Sequence, residues 1–149
     1  MVEKALIAAG CFWGIEEYFR NLEGIVNTEV GYTGGSFLNP TYEDVCSGRT
    51  GHAEAVSIDF NREILSYKDI INLFWKCHDP TQLNRQGLDV GTQYRSAIFF
   101  FNLEQKEIAE KSKKEFQKFV DLPVVTEINE AKEFYLAEEY HQCFLLKRK

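Results

Sequence analysis

The chain has 149 residues, 44% of them hydrophobic, with 17 basic against 23 acidic residues and a formal net charge of -6. That length supports one domain with its own core, burying roughly 70% of the surface an unfolded chain exposes. Basic residues are scattered apart from Lys111 to Lys118 and Lys147-Arg148-Lys149. This makes nucleic acid a poor partner, and no apolar run approaches the roughly 18–20 residues of a membrane span.

In chain order, Ala5-Leu6-Ile7-Ala8-Ala9 reads as a strand, and Ile15, Phe19 and Leu22 predict a helix over about 13–22. Between them, Gly10-Cys11-Phe12-Trp13-Gly14 sets a thiol where strand gives way to helix. Free amides and the positive end of the helix dipole favour a thiolate there, so the expectation is a lowered pKa and a nucleophile near neutral pH. Gly10 permits a sharp turn, and Gly14 permits close approach by another backbone or a substrate. A packed structural cysteine is the plainer reading of any isolated Cys, and the flanking pattern outweighs it here.

Gly24 ends the helix, residues 25–32 read as a second strand, and Gly34-Gly35 as a turn. Residues 36–52 are polar and turn-rich; residues 53–60 alternate as a strand does. Ser66 with Asp69 forms a capping box opening a helix to about 76, whose apolar side carries Ile70, Ile71, Phe74 and Trp75. The stretch 79–94 has almost no hydrophobic periodicity and reads as a functional loop. A strand over 96–101 follows, then a helix capped by Asn102 to about 119 with Ile108, Phe116 and Phe119 inward. A strand over 123–129 and a helix over 136–146 complete the chain. Interleaved strands and helices predict a two-layer α+β sandwich around a mixed sheet, with residues 1–149 as a single catalytic domain.

Period-2 spacing puts Glu54 on the face of Val56, Ile58 and Phe60, so its carboxyl points inward. Lost hydration there raises its pKa and suits it to donate a proton; the competing reading is a strand-end glutamate bent out to solvent. Tyr42 and Tyr94 stand in the two irregular polar segments, where a phenol offers a hydrogen bond, or is an ordinary half-buried tyrosine. Asp89, between Gly87 and Gly91, either holds a turn or joins the site.

The cysteines Cys11, Cys46, Cys77 and Cys143 lie far apart with no C-x-x-C pair, and Met1-Val2-Glu3-Lys4 is too polar to open a secretory leader. Both features point to free thiols in a reducing cytoplasm. Cys77-His78 and His141-x-Cys143 lack the paired spacing of a four-ligand zinc site, so no metal is expected. No histidine is spaced to act as the base of Cys11, which argues against a hydrolase. A thiolate with a buried acid and two phenols suits attack on a polarised sulfur whose oxygen must be protonated.

Seven motifs in order resemble the A-type peptide methionine sulfoxide reductases over most of the chain: Gly10-Cys11-Phe12-Trp13-Gly14, Gly31-Tyr32-Thr33-Gly34-Gly35, Tyr42-Glu43-Asp44-Val45-Cys46-Ser47-Gly48, Gly51-His52-Ala53-Glu54-Ala55-Val56, His78-Asp79-Pro80-Thr81-Gln82, Asp89-Val90-Gly91-Thr92-Gln93-Tyr94-Arg95-Ser96 and Ala137-Glu138-Glu139-Tyr140-His141-Gln142. The resemblance implies a ferredoxin-like core with additions, and reduction of the S epimer of methionine sulfoxide, protein-bound or free. It implies that Cys11 attacks the sulfur and becomes a sulfenic acid, while Glu54, Tyr42 and Tyr94 bind the oxygen and Glu54 protonates it. Phe12 and Trp13 would hold the methyl group, and Asp89 would belong to the polar wall. No metal or organic cofactor is implied, and thioredoxin or another thiol would be the reductant. Cys143 is the candidate resolving thiol, with a packed helical cysteine as the alternative; Cys46 and Cys77 read as structural. Leu88 stands before Asp89 where relatives tend to carry Asn or Pro. Competing readings are a one-cysteine thiol peroxidase, disfavoured by the adjacent aromatics, and a module that binds oxidised methionine without turnover.

Overall fold

A computed structural model describes residues 1–148. The chain runs β1 (Val2–Ala9), α1 (Phe12–Arg20), β2 (Ile25–Thr33), α2 (Tyr42–Cys46), β3 (Ala53–Asn61), α3 (Tyr67–Lys76), β4 (Arg85–Gln86) and β5 (Asp89–Val90). A 3-10 turn (Thr92–Tyr94) leads into β6 (Ser96–Phe100), α4 (Leu103–Gln117), β7 (Glu127–Glu130) and β8 (Tyr135–Leu136), and a second (Glu139–His141) precedes α5 (Phe144–Lys147). The main sheet has the order β7-β6-β1-β3-β2-β8, and β4 and β5 form a separate hairpin. Every pairing is antiparallel except β6 with β7, so the sheet is mixed.

Its four inner strands, β6-β1-β3-β2, with α1 and α3 make two interleaved split β-α-β units, the ferredoxin-like arrangement. Strands β7 and β8 extend its two edges. Strand β1 lies in the middle, and Ala5 through Ala9 are all buried, which explains a continuous apolar run without alternation. Strand β3 alternates instead: Val56, Ile58 and Phe60 join the main core, with Ile15 and Phe19 of α1 and Ile70, Ile71 and Phe74 of α3. Ala53 and Ala55 face the opposite side with Leu6, Ala8, Ala97 and Phe99, where Ala131 and Phe134 cover the sheet.

Helix α3 starts at the foreseen capping box: the Asp69 amide donates to Ser66 Oγ at 3.0 Å, and the Ser66 amide to Asp69 Oδ2 at 2.9 Å. Ser66→Ala is expected to lower stability by about 1 kcal/mol, or about 2–4 °C in thermal midpoint. An unchanged midpoint would mean the box contributes nothing.

Besides the strand expected over 123–129, which forms only as β7 over Glu127–Glu130, three expectations differ from the structure. The polar stretch 36–52 contains α2, opened by a second capping box in which the Asp44 amide donates to Thr41 Oγ1 and the Thr41 amide to Asp44 Oδ2. The tail over 136–146 is no continuous helix but β8, a turn and α5. Tertiary hydrogen bonds outweigh helix propensity there: the Gln142 side chain accepts from the Val30 amide and donates to the Val30 carbonyl, both at 2.9 Å, and Cys143 turns left-handed at φ 50°. Phe119 lies beyond α4 and is 84% exposed rather than inward, while Ile108 and Phe116 do pack on the core.

Candidate active site

Cys11 caps α1 at the carboxyl end of β1, preceded by Gly10 at φ 101°. A side chain at Gly10 would also run into Gln86 of the β4–β5 hairpin, which packs against this turn. At Gly14 a side chain would meet nothing within 4 Å, so no backbone approaches there and the space is open to a substrate. As foreseen, the amides of Trp13 and Gly14 lower the thiol pKa. Burial, and next the Glu54 carboxylate, outweigh them, with Asp89 adding to the rise, and the thiol is pushed up to about 11. The expectation of a lowered pKa is therefore overturned: the helix start is in place, but the half-buried sulfur loses hydration and feels the charge of Glu54 and, less, of Asp89.

Glu54 faces inward at 1% exposure, so the alternative of a solvent-facing strand end is excluded. Its Oε1 accepts the Phe12 amide at 3.2 Å, whereas Oε2 is buried with no partner among the described residues. Burial raises this carboxyl to about 7, with the Phe12 amide opposing and Asp89 reinforcing the rise. Such an acid holds its proton in about half of the molecules at neutral pH.

The phenols of Tyr42 and Tyr94 border the same carboxyl. Burial raises both, the nearby Cys46 thiol adds to the rise at Tyr42, and the Glu54 charge acts on each, taking Tyr94 to about 12. Both phenols are thus proton-bearing donors. The turn carrying Tyr94 is tied down by Arg95, which donates to the carbonyls of Thr92 and Gly51, each at 3.0 Å, and pairs with Glu127 at 3.2 Å. Asp89 lies exposed on the hairpin, and its charge reaches Cys11, Glu54 and Tyr94. Cys11, Tyr42, Tyr94 and Asp89 are therefore all within electrostatic reach of Glu54.

Phe12 is buried, its ring 5.7 Å from Tyr32 and 5.3 Å from His141. Trp13 stacks on Phe144 at 3.9 Å and 9°, and its Nε1 donates to His141 Nδ1 at 2.9 Å. A histidine accepting at Nδ1 is neutral with its proton on Nε2, and burial lowers its pKa in the same sense. His141, Phe144, Tyr32 and Glu138 were not placed in the site from the sequence. Glu138 and His141 lie in the Ala137 to Gln142 motif and Tyr32 in the Gly31 to Gly35 motif, which carry the resemblance but no role for these residues; Phe144 lies in none.

All four thiols are free. Cys46 is exposed at the end of α2; Cys77 donates to the Phe74 carbonyl at 3.2 Å, and burial pushes it up to about 12. Cys143 is held by the buried Glu16, whose carboxylate accepts the Cys143 amide at 2.7 Å and lies 3.8 Å from its sulfur. Thr28 donates to the same carboxylate at 2.8 Å. Cys143 thus packs against Glu16 rather than in the cluster around Cys11. Among the described residues no group of three or more His, Cys, Asp or Glu could hold a metal ion, and no helix is long and apolar enough to cross a membrane.

The sequence profile of the peptide methionine sulfoxide reductase family matches residues 3–149. The peptide methionine sulfoxide reductase MsrA of Methanosarcina acetivorans is 56% identical over 149 residues, covering 99% of this chain and 79% of that one. Reduced Mxr1 of Saccharomyces cerevisiae superposes with a TM-score of 0.94 at 36% identity, covering 98% of this chain and 85% of that one. Mxr1 in complex with Trx2 superposes with a TM-score of 0.69 at 25% identity, covering 96% and 84%.

Proposed function

Because the chain belongs to the peptide methionine sulfoxide reductases, oxidoreductases that return oxidised methionine to methionine, we propose that Cys11 is the nucleophile and Glu54 the acid of that reaction. The observation that carries this reading is Glu54 Oε2, a buried carboxyl oxygen left without a partner beside the thiol. A sulfoxide oxygen supplies the missing partner, and the phenols of Tyr42 and Tyr94 donate to the same oxygen. Phe12 and Trp13 receive the methyl group, and the rest of the substrate leads out to solvent past the open space at Gly14.

Glu54 takes the proton of the Cys11 thiol and passes it to the sulfoxide oxygen, so one proton shared by the pair serves both groups. The Cys11 sulfur attacks the substrate sulfur, forming a sulfur–sulfur bond as the protonated oxygen leaves as hydroxide; that hydroxide then attacks the Cys11 sulfur, making the sulfenic acid as the sulfur–sulfur bond breaks. Two electrons pass to the substrate sulfur, which leaves as methionine. Protonated Glu54 and ionised Cys11 belong together, because the carboxylate charge is one of the causes that keep the thiol neutral. A thiol then attacks the sulfenic acid, releasing water and forming a disulfide with Cys11, and a second thiol frees Cys11. Thioredoxin is the reductant this scheme favours, in keeping with the Trx2 complex of the yeast relative. An internal route through Cys143 requires that residue to leave Glu16 first.

Oxygen, methyl group and outgoing chain are assigned three fixed directions, so one hand of the sulfur fits; the family resemblance implies that it is the S epimer. Incubation with a dithiol and each epimer separately is expected to consume methionine-S-sulfoxide and spare the R form. Equal loss of both would refute the assignment.

A further inference from the structure

Glu138 lies just before the Glu139–His141 turn, 96 residues along the chain from Tyr42, and its carboxylate reaches both sides of the site. Oε2 accepts the backbone amide of Tyr42 at 3.0 Å, and Oε1 accepts the phenol of Tyr32 at 2.8 Å. Tyr42 is the first residue of α2, an element of five residues that places a single side chain, Val45, fully in the core. So short a helix is not held by its own hydrogen bonds, and its position depends on tertiary contacts. The Thr41–Asp44 box shapes its first turn but ties it to nothing outside itself. The Glu138 bond is ionic on one side, and so is stronger than a neutral one.

We propose that Glu138 is a positioning residue that fixes α2, and with it the Tyr42 phenol, at the distance the sulfoxide oxygen requires. This rests on the role given to Tyr42 above. Burial pushes the Glu138 carboxyl up, but hydrogen bonds from the Tyr42 amide, its own amide and the Tyr32 phenol bring it below its ordinary value. It is therefore an acceptor throughout the neutral range. Tyr32 is fully buried with its ring against Phe12, so the second bond locks the carboxylate to the wall that receives the methyl group. The amide of Tyr42 and the wall behind Phe12 are thereby held by two oxygens of one group.

The test is a double-mutant cycle on the single-turnover rate of Cys11 oxidation by methionine-S-sulfoxide, using Glu138→Ala, Tyr42→Phe and both together. Displacing the phenol by about an ångström is expected to slow the wild-type background ten- to a hundredfold. In the Tyr42→Phe background the same change is expected to cost less than about twofold, because no phenol is left to misplace. Equal losses in both backgrounds, with Tyr42→Phe itself slow, would mean a merely structural role and overturn this inference alone. Tyr42→Phe at the wild-type rate would overturn the oxygen-binding role of Tyr42 as well. Should Glu138→Ala fail to fold, the cycle is run with Glu138→Gln, which keeps one acceptor oxygen for two donors; intermediate slowing confined to the Tyr42 background is then expected. Tyr32→Phe breaks only the other bond, and if it alone reproduces the whole loss, Glu138 acts through Tyr32 and the proposal fails.

Discussion

Replacing Cys11 by serine is expected to leave a folded protein that forms no methionine from methionine sulfoxide. A hydroxyl in this position does not ionise, and it has no sulfur to accept the oxygen. The fold should tolerate the change, because Cys11 makes no side-chain capping bond and is only half-buried. A stability loss within about 1 kcal/mol is expected, read as the thermal midpoint beside the activity. Residual turnover at a wild-type rate would move the nucleophile to Cys46, Cys77 or Cys143. Of these, Cys46 feels the charge of Glu54 and acts on Tyr42 and Tyr94, so it is the first alternative to examine, whereas Cys77 and Cys143 show no such coupling.

Glu54→Gln is the second large effect, a slowing of Cys11 oxidation by about 10²–10⁴-fold at pH 7, the usual contribution of a positioned acid. The amide oxygen still accepts from the Phe12 backbone, so the loss falls on proton transfer rather than on the turn. The pH dependence carries more information than the magnitude. With Glu54 at about 7 and Cys11 at about 11, the form holding one proton between them dominates from pH 7 to 11, and it is the form that reacts. Wild-type kcat/KM for sulfoxide is expected to rise through about pH 7 and then run flat. In Glu54→Gln the plateau disappears, and the rate climbs about tenfold per pH unit with the thiolate alone. Its thiol pKa falls below the wild-type value because the carboxylate charge is gone. A wild-type rate that keeps climbing above about pH 8 contradicts the shared proton.

Much of this was legible in the sequence because it rests on local pattern. The parity of Glu54 with Val56, Ile58 and Phe60 is a property of one strand, and it put the carboxyl on the core face. The Ser66–Asp69 box and the glycine before Cys11 are equally local. What escaped depends on distant parts of the chain. Glu138, His141 and Phe144 reach Tyr42 and Trp13 only because the tail folds back along β2, fastened by Gln142 to Val30, and the same bonds replace the foreseen helix. The pKa of Cys11 was misjudged for a related reason: the capping amides follow from position, whereas burial and the nearness of Glu54 follow from the assembled fold. Helix α2 is a different case, since its Thr41-x-x-Asp44 signal was present among polar residues that looked like turns.

The most direct test of Cys11 as the group that takes the oxygen is a single turnover without reductant. The protein is mixed with one equivalent of methionine-S-sulfoxide in the presence of dimedone, and methionine and cysteine oxidation state are read together by peptide mapping. One methionine per chain is expected, with Cys11 recovered either as the dimedone adduct of its sulfenic acid or in a disulfide. Methionine formed while Cys11 is recovered as a free thiol would contradict the mechanism.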